Sequence, residues 1–118
     1  MTIGQPKNNR EALEAFIREI GGIYEEEKRD GTPAHFLNSN FNPRDLTLED
    51  KRIWDKVRDE SITREDFNAY RESIIDPRTR NVKGDIAYSR YTFSAFIENK
   101  ATPVIGMREA KETKEKKM

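Results

Sequence analysis

Chemistry in a short chain needs ionisable or nucleophilic side chains held together. The only histidine is His35, and no serine or cysteine motif lies near it to build a triad. There are no cysteines at all, which rules out disulfides and thiolate zinc sites. The run Glu25-Glu26-Glu27 with Asp30 is rich in carboxylates but sits on one stretch. A metal needs ligands converging from several elements, so the run reads as a solvated helix end. Gly84 is isolated, and the phosphate-cradling G-x-x-x-x-G-K-S/T pattern is absent. No catalytic, cofactor or metal residue is assigned, and the chain is read as non-enzymatic.

Cations and aromatics offer binding rather than catalysis. Arg78, Arg80 and Lys83 fall within six residues that carry no carboxylate, and Arg90 follows shortly after. Tyr88, Tyr91, Phe93 and Phe96 make the same region the most aromatic of the chain. Rings that stack on bases beside cations that meet phosphates make Arg78, Arg80, Lys83 and Arg90 the nucleic-acid candidates. The alternative places Phe93, Phe96 and Ile97 in the core with the tyrosines at the rim. Phe36, Phe41, Trp54, Tyr88 and Tyr91 are the candidates for a partner-binding surface.

These residues must be positioned by helices. The best-specified stretch runs from Leu46 to Ile75 and reads as two helices joined by a short turn. Thr47 caps the first, with Asp50 at its third position, and Ile53, Trp54 and Val57 form its stripe. Thr63 caps the second in a T-x-x-D box with Asp66. Ile62 and Phe67 are placed to staple it, and Phe67, Tyr70, Arg71 and Ile74 share a face. Pro77 ends it.

Two specialised readings of this pair fail. A DNA-binding helix-turn-helix would present Arg64-Glu65-Asp66 to phosphates, after an acidic turn without glycine. An EF-hand register would put Val57 at a ligand position and Glu60 where the loop needs glycine. A packed helical hairpin remains.

An earlier helix is capped by Asn8 or Asn9 and runs to about Lys28, with Leu13, Phe16, Ile17, Ile20 and Tyr24 on one face. Gly21-Gly22 predicts a bend or a stop within it. Residues 31–43 read as an Asn-rich loop pinned to this helix by Phe36, Leu37 and Phe41. Asp85 is placed to cap a last helix from Ile86 to about Asn99. Residues 101–107 read as an extended apolar strip.

Composition bounds the whole. The chain has 118 residues, 34% hydrophobic and 37% charged, with 22 basic and 22 acidic side chains. The core must be small, and helices suit it because each needs only one apolar stripe. Residues 1–75 carry 12 basic and 16 acidic groups and residues 76–118 carry 10 and 6, so the ends lean −4 and +4. No run approaches the ~20 apolar residues of a membrane span.

The sequence therefore predicts a mainly α fold: a small irregular bundle of three to four helices with a long Asn-rich loop and a charged C-terminal tail. The expected division is a flexible lead at 1–7, one helical domain at 8–107 and a mobile tail at 108–118. The expected role is a cytoplasmic protein–protein interaction module (adaptor, inhibitor or regulator), with homodimerisation as a source of added stability. Binding of nucleic acid through the loop 78–83 and the helix 86–99 is the alternative. No cofactor is implied.

Overall fold

The computed structural model describes residues 8–30 and 40–116, with side chains through Lys111. Its order is α1 (Asn9–Asp30), a 3-10 turn (Pro43–Asp45), α2 (Leu48–Arg58), α3 (Arg64–Ile74) and α4 (Tyr88–Lys116). Among the described residues the fold is mainly helical with no strands, as the periodicities predict. One isolated bridge, between Ile75 and Val82, closes the loop after α3.

The helix starts follow their caps. The Asn8 side chain accepts from the Glu11 amide at 2.9 Å. Thr63 and Asp66 satisfy each other's backbone N–H groups, at 3.1 and 3.0 Å. Thr47 and Asp50 form a second such box at the start of α2. Asp50 accepts from both the Thr47 amide (2.7 Å) and the Thr47 hydroxyl (3.0 Å), because its carboxylate is turned back toward the cap. The end of α2 is a Schellman turn, with Ser61 donating to Lys56 O and Glu60 to Val57 O. Glu60 occupies its left-handed position at φ 56°.

One core joins all four helices. Phe93 and Phe96 on α4 are essentially sealed and form its centre. Phe16 of α1 meets Phe93 edge-on at 5.6 Å, and the Trp54 indole of α2 lies 5.5 Å from the Phe96 ring. Ile20, Phe41, Leu46, Ile53, Val57, Ile62, Tyr70, Ile74, Ile97, Ala101 and Ile105 complete it. The segment before α2 is fastened to two helices. Phe41 packs on Tyr24 of α1, and the Asn42 amide donates to the Ser89 hydroxyl of α4 at 2.8 Å.

Three expectations are corrected. First, α1 does not stop at Gly21-Gly22 but continues to Asp30. A side-chain carbon at Gly21 would meet only Pro43 Cγ, at 3.7 Å, and one at Gly22 would meet nothing. Second, α4 begins at Tyr88, so Asp85 lies in the preceding turn and does not cap it.

Third, residues 101–107 are helical and not an extended strip. Pro103 is tolerated because it is on the exposed face, where the carbonyl of Asn99 that it leaves without a donor can reach water. Beyond it the helix is tied down. Arg108 donates to Glu60 O at 3.1 Å, and Arg64 makes a bidentate pair with Glu109, both bonds 2.9 Å. That pair raises the Arg64 pKa and lowers that of Glu109, chiefly by the hydrogen bonds between them. The lead at 1–7 and most of the Asn-rich loop lie outside the described residues.

Gly22 sits in a helix interior with open space where a methyl group would go, so Gly22→Ala is expected to stabilise the fold by about 0.5–1 kcal/mol. Urea unfolding followed by circular dichroism checks this; a loss of stability would show that the glycine is needed at that position.

Candidate functional site

The densest polar constellation lies at the start of α4, where Arg90 reaches across to α2. Asp50 is completely buried. Its carboxylate accepts from Arg90 Nε at 2.8 Å and Nη2 at 3.2 Å, and from the Tyr70 hydroxyl at 2.6 Å. With the two Thr47 contacts it has five donors. Arg90 Nη2 also donates to Glu49 at 2.6 Å, and the Ser73 hydroxyl lies 3.1 Å from the same carboxylate oxygen. Three helices thus meet on one ion pair.

Geometry explains why these residues come together. Asp50 is the third residue of α2, close enough to its own cap to turn inward. Tyr70 and Ile74 are one turn apart on the inward face of α3, and Arg90 lies on α4 one turn before its buried Ser94 and Phe93. Burial disfavours the Arg90 charge, but hydrogen bonds and attraction from Asp50 and Glu49 outweigh it and raise its pKa. Burial, the Asp50 charge and the hydrogen bond to it push the Tyr70 phenol upward. The bonds among Asp50, Tyr70 and Arg90 hold three helices together, while Glu49 is half-exposed and, with Tyr70, lines the groove between α2 and α3.

The candidate residues therefore separate. Arg90 is removed from the nucleic-acid set, because its guanidinium is buried against Asp50 and Glu49. Arg78 and Arg80 are exposed and Lys83 is half-buried on the loop between α3 and α4. Phe41 and Trp54 are removed from the partner-binding set, since both belong to the core. The Trp54 indole N–H is buried with no protein partner among the described residues. Phe36 lies outside the described residues. Tyr88 and Tyr91 remain at the surface, 76% and 42% exposed. A second surface feature was missed by the sequence reading. Beyond the tyrosines, Ala95, Asn99, Thr102, Pro103, Gly106 and Met107 are also exposed, and the only charged residues exposed between 88 and 107 are Glu98 and Lys100. The signal was present as helical spacing across residues 95–107, but the expected helix ends near Asn99.

Among the described residues no group of three or more His, Asp or Glu could hold a metal, and no helix is long and apolar enough to cross a membrane. The surface depressions are open grooves. One of about 230 Å³ lies between α2 and α3, lined by Ile53, Lys56, Asp66 and Tyr70 among others. Another, on the outward face of α4, is lined by Ala95, Glu98, Asn99, Thr102 and Pro103. No protein-family model, curated protein or solved structure matches the chain.

Removing Arg90 would leave Asp50 buried with an unpaired charge. Arg90→Met is expected to cost about 3–5 kcal/mol in chemical denaturation. Arg90→Lys is expected to recover only part of this, because one ammonium cannot reproduce the guanidinium bonds to both Asp50 and Glu49. A loss under about 1 kcal/mol for Arg90→Met would mean the pair is not formed.

The pH dependence follows from Tyr70. Its folded pKa is raised above the ordinary 10.0, so the contribution is complete below that value. It is lost as pH rises, because the unfolded chain then releases the proton more readily. Stability is expected to fall by up to about 1.4 kcal/mol per pH unit above pH 10 from this residue alone. Tyr70→Phe is expected to be less stable at pH 7 but to show a shallower decline in alkali.

Proposed function

We propose that the chain is a non-enzymatic protein–protein interaction module, an adaptor, inhibitor or regulator, which docks through the outward face of α4. The observation that carries this reading is the charge depletion of that face. In a chain 37% charged, exposed Tyr88, Tyr91, Ala95, Asn99, Thr102, Pro103, Gly106 and Met107 form a largely uncharged surface. Interface centres are depleted in charge and enriched in tyrosine and methionine. Tyrosine buries a large area at little entropic cost and anchors many interfaces.

The non-enzymatic part of the proposal draws support from the sealed Asp50 cluster, whose acid, phenol and guanidinium are committed to one another. A nucleic-acid reading keeps Arg78, Arg80 and Lys83 but loses Arg90, and the tyrosines lie on a face with a single exposed acid and a single exposed base.

The test is an immobilised full chain exposed to nuclease-treated and untreated extract, beside Tyr88→Lys/Tyr91→Lys. The double variant is expected to fold with stability within about 1 kcal/mol of the wild type, since both residues are exposed. It is expected to lose the proteins that the wild type retains in both arms. Retention only without nuclease, or equal retention by the variant, would overturn the reading.

A further inference from the structure

A groove of about 290 Å³ lies between the end of α3 and the loop that follows, lined by Arg71, Glu72, Ile75, Pro77 and Arg80. Ile75 and Pro77 are its apolar lining, and Arg71 and Arg80 outnumber the one acid, Glu72, among the rest. The loop is well fastened. Asp76 N–H donates to Asn81 O at 2.8 Å, Arg80 N–H to Asp76 O at 2.7 Å and Lys83 N–H to Ile74 O at 2.9 Å. Arg71 is placed by its neighbours, 5.9 Å over the Phe67 ring and 3.9 Å from Glu98.

Arg80 is the unexpected member. It closes the loop at φ 59°, in the left-handed region that glycine enters without cost. The turn requires that backbone but not an arginine, and Arg80 makes no ion pair with another described residue. A cation is thus held, against backbone preference, beside an apolar lining. Backbone strain of this kind is a pointer to function when the fold itself does not need the side chain. Glu60 shares the strained conformation, but there the geometry serves a helix end whose carbonyl takes Arg108.

We propose that this groove receives an acidic, aliphatic peptide segment of a partner protein, with carboxylates on Arg80 and Arg71 and an apolar side chain on Ile75 and Pro77. Charge complementarity and the apolar lining choose this occupant together. A nucleic-acid strand fits less well, because no aromatic ring lines the groove for a base to stack on. The groove is lined by none of the α4 residues assigned to docking above, so either surface can fail without the other.

The test is a nuclear magnetic resonance titration of the full chain with a blocked peptide of alternating glutamate and leucine. A lysine–leucine peptide of equal length and an oligo-thymidine strand are run beside it. The acidic peptide is expected to give saturable shifts at the amides of residues 75, 76 and 78–82 and at the side-chain Nε of Arg71 and Arg80, weakening with salt. Arg80→Gly relieves the backbone and removes the charge. Its melting temperature is expected to equal or exceed that of the wild type while affinity falls roughly threefold or more. Glu60→Gly, which relieves the other left-handed residue, is expected to leave binding unchanged. No saturable shift with the acidic peptide, unchanged affinity in Arg80→Gly, or stronger binding of the oligonucleotide would overturn the proposal.

Discussion

The carboxylate of Asp50 is the constraint on which the arrangement of helices depends. A buried charge is tolerated only when paired and hydrogen-bonded. Asp50 meets that demand with donors from three places in the chain: its own cap at Thr47, Tyr70 on α3 and Arg90 on α4. Sliding α3 or α4 by one residue would turn a donor away and strand the charge. Apolar packing alone is more forgiving, since a helix can slip and still bury leucine-like surface. The ion pair is therefore best understood as fixing register, with the aromatic core supplying the cohesive energy around it.

The core and the polar cluster are two sides of one helix. On α4, Phe93, Phe96 and Ile97 face the interior, and Arg90 lies one turn earlier on the buried side. The remaining side, from Tyr88 to Gly106, is exposed and carries only Glu98, 3.9 Å from Arg71, and Lys100 as charged residues. Farther on, Arg108 and Glu109 fasten the helix to the α2–α3 turn. The helix thus serves as the spine of the fold and leaves a long surface free for contact.

Much of this was legible in the residues. The caps at Asn8 and Thr63 and the stripes through Phe16, Ile53, Tyr70 and Phe93 follow from local hydrogen bonding and the 3.6-residue period, which sequence displays directly. The misreadings had local causes. Pro103 and Gly21-Gly22 carry real helix penalties, and both were overridden by packing on the buried face of the same helix. Arg90 shares the helical face of Phe93 and Ile97, but spacing does not reveal the carboxylate 40 positions away that it meets. Trp54 and Phe41 were candidates for a partner surface, but a core this small claims most of its large side chains. Spatial pairing across helices was the part that spacing could not supply.

The central claim, that Arg90 is locked against Asp50 within the interior, is tested most directly by hydrogen exchange at the Arg90 side-chain Nε–H. That proton is expected to exchange slowly, only when the bundle opens, while those of exposed Arg78 and Arg80 exchange at the rate of free arginine. Exchange at Arg90 as fast as at Arg80 would mean that the guanidinium is in water and that the register of the helices has some other origin.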